Sequence, residues 1–465
     1  MKFYNREEEL EALNKVRELS FNEHSMFTVL TGRRRIGKTS LIKKSCNNTP
    51  TVYLFVSRSN EALLCQSFAE EIRTALNIFV PDGIISFAEL FQFLMDVGTR
   101  AKFNLVIDEF QEFFFINSEV YSKMQHIWDS YRLKSNINLV VSGSVYTLMT
   151  KIFKDEKEPL FGRADRILKL MPFSISVLKE IMTDNGIPLP ECNEELLALY
   201  SFTGGVPKYV EMLVENGCHG LMDVMVDFMV QPDSPFLTEG KNLLIQEFGK
   251  QYGNYFSILA SIANGKNTLT EMESLMGNIS LSGQLKRLEE DYELIKKKRP
   301  LFAKEGSQTV RYEISDMFLR FWFRYFVKYQ NLIELQNYTL LGDIIKKDFP
   351  TYSGITLEMY FRKKMMESHE FMDIGSWWSG KNNSNQNEID IIGIYADNKR
   401  ALVAEVKRKG REFKPEHFKQ KIDFIRHYKI FCVNVKYGIQ YGFRIFYLIA
   451  LQNEENYERE ESCSA

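Results

Sequence analysis

The fold of the first part of the chain is decided by the stretch FTVLTGRRRIGKTSLIKK, Phe27 to Lys44. It places a short loop between an apolar strand and an amphipathic helix, and the loop carries the spacing Gly-x4-Gly-Lys-Thr. This is the P-loop pattern in the strand–loop–helix context that it requires. Glycines let successive backbone N–H groups turn toward one point at a helix N-terminus, which forms a cradle for an anion. The alternative is an ordinary glycine-containing turn.

The loop predicts a nucleotide site with ATP and Mg²⁺ as cofactors. Lys38 is expected to reach the β- and γ-phosphates, and the Thr39 hydroxyl is expected to bind Mg²⁺. The predicted nucleotide-binding residues are those of the loop and of the first helical turn: Gly32, Arg33, Arg34, Arg35, Ile36, Gly37, Lys38, Thr39 and Ser40.

A P-loop needs an acidic partner at the end of a neighbouring strand, and FNLVIDEF supplies Asp108 and Glu109. Asp108 is predicted to hold the Mg²⁺ through water, and Glu109 is predicted to be the catalytic residue that polarises the attacking water. A third strand, INLVVSGS, ends in Ser142 and Ser144. Either hydroxyl is a candidate for binding the γ-phosphate or orienting the water, and the alternative is a strand-end cap.

Three basic residues are further candidates for the nucleotide site. Arg163 in PLFGRADRI and Lys208 in GGVPKY are candidate sensors of the transferred phosphoryl group. Arginine suits this role because its planar fork binds two phosphate oxygens, although a surface salt bridge is the alternative. Arg6, in FYNREEEL, is a candidate for lining the adenine pocket. Its alternative is an exposed charge at the start of a helix.

Length and composition set the broad class of protein. At 465 residues the chain exceeds what one core usually holds, so its length predicts two or three domains. A hydrophobic content of 45% and a charged content of 26% are ordinary for a globular protein and exclude wholesale disorder. No membrane span is expected, because no apolar run approaches about eighteen residues. Six cysteines without a CxxC pair argue against a zinc site and favour a reducing, cytoplasmic location.

The order of the segments predicts four domains and a tail. Apolar runs that alternate with helical segments predict an α/β fold over residues 1–175, with a parallel sheet covered on both faces. A helical lid is predicted over 176–235, and three helices followed by a strand pair predict a winged helix over 240–330. A C-terminal α/β domain is predicted over 345–450, and the tail, 451–465, is expected to be disordered.

A second polar constellation lies in EIDIIGIYADNKRALVAEVKRK, Glu388 to Lys409. Asp390, Glu405 and Lys407 interrupt two apolar strands, and the period of a strand places Glu405 and Lys407 on one face. Metal-dependent phosphodiester cleavage needs carboxylates for Mg²⁺ and a cation that positions the water. Asp390, Glu405 and the upstream Glu358 are therefore candidate metal ligands, while Glu405 and Lys407 are the candidate catalytic residues. The alternative is an edge hairpin whose charges face water.

The motifs together resemble a known family. FYNREEELEAL, GRRRIGKTS, LVIDEF, LFGR and GGVPKY, followed by SDMFLRFWFRY, occur in the order found in the archaeal-type ATPases of the AAA+/STAND group. The resemblance covers nearly the whole chain. It implies an ATPase core, a helical lid, a winged helix and a C-terminal nuclease-like domain.

The C-terminal constellation is similar to the PD-(D/E)XK nuclease superfamily, whose restriction-endonuclease-like core is a helix, a mixed sheet and a second helix. The resemblance implies that the metal and catalytic positions are Glu358, Asp390, Glu405 and Lys407. Of Gln420 and Lys421 on the following helix, Gln420 is the implied accessory residue. The proline of the family name is absent, since Ile389 precedes Asp390. A degenerate fold that binds without cleaving is the alternative.

Basic runs make nucleic acid, DNA in particular, an expected partner. KKKR at 296–299 lies at the predicted wing, and Lys407, Arg408, Lys409 and Arg411 follow the acidic pair. Such clusters neutralise phosphates, although solvated hairpin ends look the same. Trp377 and Trp378 either stack on a base or fill the core.

Two hypotheses for the function follow. The first is an ATPase that acts on nucleic acid through the winged helix and the nuclease-like domain. The second is a STAND-like regulator in which slow ATP turnover controls self-association or assembly with a protein partner, and the C-terminal domain only docks. Arg163 would act across subunits in a ring or within its own subunit in a monomer.

Overall fold

The computed structural model describes residues 2–187, 193–303, 310–378, 388–397, 400–408, 413–425, 431–440 and 443–451. Lys409, Arg411 and the predicted tail after residue 451 lie outside the described residues. The chain folds as two compact units. The first takes the residues up to Val177 together with Gly205–Met212, and the second takes Leu178–Gly204 and the chain from Leu213 onward.

The first unit is an α/β domain around one parallel sheet. Its strands are β1 (Met26–Thr31), β2 (Thr51–Phe55), β3 (Phe103–Asp108), β4 (Ile137–Ser142) and β5 (Arg166–Lys169). Its helices are α1 (Glu7–Asn22), α2 (Lys38–Ser45), α3 (Glu61–Leu76), α4 (Phe87–Val97), α5 (Phe113–Ile116), α6 (Glu119–Tyr131) and α7 (Tyr146–Lys154). The strand order is β2-β3-β4-β1-β5, and every pairing is parallel.

Both faces of this sheet are buried, which is why its strands are almost continuously apolar. Successive side chains of one strand alternate between two clusters. Leu105 and Ile107 of β3 belong to the cluster that contains Trp128, whereas Val106 between them belongs to the cluster beneath α1 and α2. The predicted parallel-sheet domain is thereby confirmed.

The strand order determines which strand ends meet. Because β4 lies between β1 and β3, the carboxyl ends of these three strands are adjacent at one edge of the sheet. The loop after β1, Ser142 at the end of β4 and Asp108 at the end of β3 therefore lie side by side.

The predicted lid, 176–235, is helical. It contains α8 (Ile175–Asp184), α9 (Asn193–Thr203), α10 (Pro207–Glu215) and α11 (Met222–Val230). Its residues are divided between the two units, so a lid that forms a separate domain stays a prediction.

Helices and one hairpin follow the lid. They are α12 (Pro235–Phe248), α13 (Tyr252–Ala263), α14 (Leu269–Leu275), α15 (Ser282–Glu290), β6 (Ile295–Lys298) and β7 (Arg311–Ile314). Strands β6 and β7 pair antiparallel. Leu281, Leu285 and Leu288, which have the spacing of one helix face, are all buried. A winged helix over 240–330 stays a prediction, and residues 304–309, between the two strands, lie outside the described residues.

The aromatic segment after β7 is packed rather than exposed. It forms α16 (Met317–Trp322), a π-helical turn (Phe323–Val327) and α17 (Gln330–Glu334), and it leads into the long helix α18 (Tyr338–Glu367). Phe318, Phe321 and Phe323 are buried. Among the described residues, no helix is both long and apolar enough to cross a membrane.

The C-terminal sheet is antiparallel. Its elements are β8 (Phe371–Trp378), β9 (Glu388–Tyr395), β10 (Arg400–Lys407), α19 (Pro415–Ile425), β11 (Phe431–Gln440) and β12 (Phe443–Leu451). The order is β11-β12-β10-β9-β8, with every pairing antiparallel. The mixed sheet implied by the nuclease resemblance is therefore wrong for this chain. The chain after α19 forms β11 at the edge and returns as β12, so the strand beside β10 runs opposite to it.

Candidate functional site

The loop between β1 and α2 has the backbone of an anion cradle. Gly37 precedes the first residue of α2 with a φ of 90°, a left-handed conformation that favours glycine. The buried Lys38 folds back over the loop, and its Nζ donates to the carbonyls of Gly32 (2.7 Å) and Arg33 (3.0 Å). The lysine predicted to reach the phosphates therefore lies at the mouth of the cradle.

The remaining loop residues vary in exposure. Arg33 and Arg34 are half-buried, Ile36 is buried, and Arg35, Thr39 and Ser40 are exposed. The carbonyl of Arg35 accepts from the backbone N–H of Lys208 at 3.2 Å. The GGVPKY motif, distant in sequence, is thereby attached to the loop within the first unit.

Asp108, at the carboxyl end of β3, accepts hydrogen bonds from several neighbouring groups. Its Oδ2 accepts from the Thr39 hydroxyl at 3.3 Å and from the Tyr53 hydroxyl. Its Oδ1 accepts from the Ser142 hydroxyl and from the Glu109 backbone N–H, the latter at 3.0 Å. The structure thus brings the predicted Thr39, Asp108 and Ser142 together, and it adds Tyr53, which sequence reasoning missed.

These donors to Asp108 are uncharged, so they orient the carboxylate without cancelling its charge. Burial and the hydrogen bond to Asp108 raise the pKa of the Tyr53 phenol, which keeps this donor neutral. A hydroxyl and a carboxylate oxygen are the ligand types that Mg²⁺ prefers. Thr39 and Asp108 therefore fit a magnesium ion chemically.

Glu109 lies at the centre of a second, adjoining network. Its φ of 54° is left-handed, which is uncommon for a residue other than glycine. Its Oε2 accepts from the Ser144 hydroxyl and from Gln111 Nε2, each at 2.6 Å. Gln111 is fully buried and also donates to Glu112 at 3.2 Å, while Glu112 pairs with Arg58. Ser144, one of the two serine candidates, thus contacts Glu109, and Gln111 was missed by sequence reasoning.

The other basic candidates have partners of their own. Arg6 is buried and donates to the carbonyls of Met171 (2.7 Å) and Ile36 (3.4 Å), so it braces the loop from behind. Arg163 pairs with Asp129 at 3.1 Å, which is the surface salt bridge named as its alternative. The Lys208 side chain pairs with Glu211 at 2.7 Å. Roles in ATP binding for these three residues stay predictions.

The C-terminal candidates also meet, on a different scaffold. Asp390 on β9 and Glu405 and Lys407 on β10 converge: Lys407 Nζ lies 3.1 Å from Glu405 Oε2 and 3.7 Å from Asp390 Oδ2. The Asp390 Oδ2 also accepts from the backbone N–H of Val406 at 2.8 Å. Lys421 on α19 donates to the other Glu405 oxygen, Oε1. The accessory position implied for the exposed Gln420 is therefore occupied by the buried Lys421.

The carboxyl groups of this cluster differ in the direction of their pKa shifts. Burial opposes ionisation of Glu405, but the hydrogen bond from Lys421 and the charge of Lys407 outweigh it and hold the pKa of Glu405 below its usual range. Burial likewise opposes the charge of Lys407, but Asp390 and Glu405 raise its pKa. Removal from water and the charge of Asp390 raise the pKa of Glu358 on α18 to about 8. Burial also raises the pKa of Asp390, despite the charge of Lys407 and the hydrogen bond from Val406, so Glu358 and Asp390 are the carboxyl groups whose charge is not fully compensated.

Two more basic residues act on the cluster. Arg362, one helical turn after Glu358, donates to the Ser376 hydroxyl at 2.6 Å and to the Asp390 carbonyl at 3.2 Å. The charge of Lys298, on β6 of the predicted wing, opposes the rise of the Glu358 pKa, as does Arg362. Sequence reasoning assigned no part in this cluster to Arg362.

The arrangement of the C-terminal cluster does not fit a metal ion. Carboxylate oxygens suit Mg²⁺ chemically, but both oxygens of Glu405 already accept from ammonium groups. Within the described ranges, no group of three or more His, Cys, Asp or Glu side chains is arranged to hold a metal. Trp377 and Trp378 are buried, and Arg311 lies over the Trp378 ring at 4.6 Å, so these rings are part of the core.

The parallel sheet, the P-loop and the acidic strand end define the class of the first unit, a P-loop ATPase domain. A family described as an ATPase domain predominantly from Archaea matches residues 3–213. A second family, of archaeal and bacterial proteins of unknown function, matches residues 322–418. The chain is 30% identical over 417 residues to an uncharacterized protein of Methanocaldococcus jannaschii, covering 88% of each. The chain belongs to this family of archaeal-type ATPases with a C-terminal domain of unknown function.

One solved structure supports the fold, and a second has a lower similarity. The Walker-type ATPase of Pyrococcus abyssi is 22% identical, with a TM-score of 0.51 over 69% of this chain and 96% of that one. The ORC2 protein of Aeropyrum pernix, described in ADPNP and ADP complexes, is 14% identical, with a TM-score of 0.47 over 72% of this chain and 95% of that one.

Proposed function

We propose that the first unit binds ATP with Mg²⁺ and hydrolyses it to ADP and phosphate. Thr39 and Asp108 would hold the Mg²⁺, which would supply positive charge against the charge that develops on the phosphates. Lys38 binds the phosphates, because its ammonium lies at the mouth of the loop. Glu109 holds the attacking water in line and accepts its proton, and Ser142 fixes the orientation of Asp108.

One observation carries this proposal. Thr39 and Ser142, which come from different parts of the chain, both donate to the single carboxylate of Asp108. Glu109 lies beside them at the same sheet edge with its carboxylate already oriented. A glycine-containing turn without a ligand would not require this convergence.

Replacing Lys38 tests the ATP site. Lys38→Ala is expected to abolish ATP binding, measured by titration with a fluorescent ATP analogue, and to remove phosphate release. Lys43→Ala, an exposed lysine of the same helix, is the matched control and is expected to bind ATP normally. Unchanged nucleotide affinity in Lys38→Ala would remove the P-loop assignment.

We also propose that ATP turnover in the first unit regulates a nucleic-acid contact of the second unit. Support comes from the ion pair between Arg311 on β7 and Glu388 on β9, at 3.0 Å, because it places the basic hairpin β6–β7 beside the C-terminal sheet within that unit. Lys296 and Lys297 of the same hairpin are exposed. Since ammonium groups cover Glu405, the geometry favours binding over cutting. A STAND-like regulator that docks a protein instead is the alternative.

DNA binding is tested by the salt dependence of affinity. The double variant Lys296→Ala/Lys297→Ala is expected to weaken binding to a fluorescent duplex. It should also reduce the slope of log K against log salt by about 1.8, since each lost phosphate contact contributes about 0.9. Lys241→Ala/Lys250→Ala removes two exposed lysines elsewhere in the second unit and serves as the control. Equal slopes in both double variants would favour the protein-docking alternative.

A further inference from the structure

We propose that Lys421 takes the place of a divalent cation beside Glu405, so that the C-terminal cluster is complete without a metal ion. The proposal goes beyond ATP hydrolysis and rests only on the part of the proposed function that concerns the second unit. On this proposal, Lys421 is the residue whose presence prevents the domain from acting as a metal-dependent nuclease and leaves it a binding domain.

The contacts of Glu405 carry the first step. Its side chain is 5% exposed, and its two oxygens accept from two different ammonium groups, Oε1 from Lys421 and Oε2 from Lys407. Each carboxylate oxygen has two lone pairs, so one lone pair stays open on each, but a metal ion bound there would lie directly beside an ammonium group that repels it. A cation would therefore bind favourably at Glu405 only after Lys421 or Lys407 had left.

The packing of α19 explains why Lys421 does not leave readily. Phe418 and Ile422 on this helix are buried against Val403 of β10 in one apolar cluster. Lys421 follows Phe418 by three positions and precedes Ile422, so the helix directs it toward the same sheet. Its side chain is 10% exposed. The lysine is held at Glu405 by the same contacts that hold the helix on the sheet.

Charge balance carries the second step. Asp390 and Glu405 bring two carboxylates, and Lys407 and Lys421 bring two ammonium groups, so these four side chains are neutral together. A divalent cation added to this set would give it a net charge of +2 at a site that is largely removed from water, and ionisation of the neighbouring Glu358 would offset only one of these charges. Buried charge without a partner is costly, which disfavours the metal-bound arrangement.

The experiment measures Mn²⁺ binding to the full chain rather than cleavage. Free Mn²⁺ is followed by electron paramagnetic resonance without nucleotide, in an Asp108→Asn background that removes the metal ligand of the ATP site. With Lys421 present, Glu405→Gln is expected to leave the Mn²⁺ isotherm unchanged. Lys421→Met is expected to gain one Mn²⁺ site, which binds Mn²⁺ at least about tenfold more tightly than the chain with Lys421 does. Adding Glu405→Gln should remove that site. Lys419→Met, an exposed lysine of the same helix, should gain none.

Each outcome decides the proposal. An Mn²⁺ site that is present with Lys421 intact and lost in Glu405→Gln would overturn it, and so would a Lys421→Met chain that gains no site. If Lys421→Met folds poorly, its thermal midpoint should rise with Mn²⁺ while that of the parent does not, and the absence of such a rise also counts against the proposal. ATP hydrolysis, measured with Asp108 intact, reports separately on the first unit.

Discussion

The two polar sites of the molecule are built from the same kind of residue and differ in what surrounds it. In each, a carboxylate lies at or near the end of an apolar strand. Asp108 is oriented by hydroxyls and a backbone N–H, whereas Glu405 is held by two lysines. Neutral donors orient a carboxylate and leave its negative charge available to attract a cation. Ammonium donors orient it and also neutralise that charge. The surroundings, rather than the acid, therefore distinguish a site that fits a metal ion chemically from an ion-pair cluster.

The largest expected effect concerns the site in the first unit, where Glu109 lies beside Asp108. Glu109→Gln keeps the size of the side chain but removes the base, so ATP turnover should fall about 10²- to 10⁴-fold while ATP binding is retained. Phosphate release and nucleotide titration measure the two quantities. Glu119→Gln, on the exposed start of α6, is the control. Turnover within about threefold of the parent would show that Glu109 is not the base.

The next largest effect concerns the C-terminal cluster, where Glu405 pairs with two lysines. Glu405→Gln leaves the buried Lys421 and the half-buried Lys407 beside a neutral amide, so the second unit should lose about 3 kcal/mol of stability. Thermal unfolding of the full chain measures the loss as a lower midpoint. Glu416→Gln, exposed on α19, should leave the midpoint unchanged. If both variants unfold alike, the lysines are not held by the charge of Glu405.

A smaller effect tests the network that holds Glu109. Gln111→Leu removes the amide that donates to Glu109, so turnover should fall about tenfold, equivalent to about 1.4 kcal/mol, with an unchanged KM for ATP. Ser144→Ala removes the other donor and should act in the same direction. Steady-state kinetics across pH distinguishes positioning from packing, because only positioning changes the apparent pKa of the base. A lower thermal midpoint with parental kinetics would assign Gln111 to packing alone.

The smallest effect depends on pH. The pKa of Glu358 is raised from 4.5 to about 8 in the folded chain, so ionising it destabilises the fold increasingly as the pH rises through that window. Glu358→Gln should therefore match the parent near pH 5 and be more stable near pH 9, by about 1 kcal/mol or more. Thermal midpoints at several pH values measure the difference. A pH-independent difference would contradict the uncompensated charge at Glu358.

Much of the first unit could be predicted from the sequence, because local signals coincide there. The strand before Gly32, the spacing to Lys38 and the apolar run before Asp108 each limit the fold, and a parallel sheet brings strand ends together. Tyr53 carried no such signal, since its contact with Asp108 depends on β2 lying next to β3. The pairing of Arg163 with Asp129 also spans distant segments, and nothing in the local sequence indicates it.

In the C-terminal unit, the spacing of residues along the helices could have indicated some of the cluster members that sequence reasoning missed. Phe418 and Ile422 define the buried face of α19, and that phase places Lys421, not Gln420, toward the sheet. Arg362 lies four positions after Glu358 on α18 and so shares its helix face. The antiparallel sheet could not be predicted, because strand order after α19 is decided by long-range pairing of backbones.

The left-handed backbone of Glu109 has a consequence for engineering this protein. A residue with a Cβ costs about 1 kcal/mol or more in that conformation, whereas glycine adopts it freely. Glu109→Gly would relieve this backbone strain, but it would leave the Ser144 hydroxyl and the buried Gln111 amide without their acceptor and would remove the carboxylate proposed to activate water. A more heat-resistant form of the protein is therefore better sought at other positions.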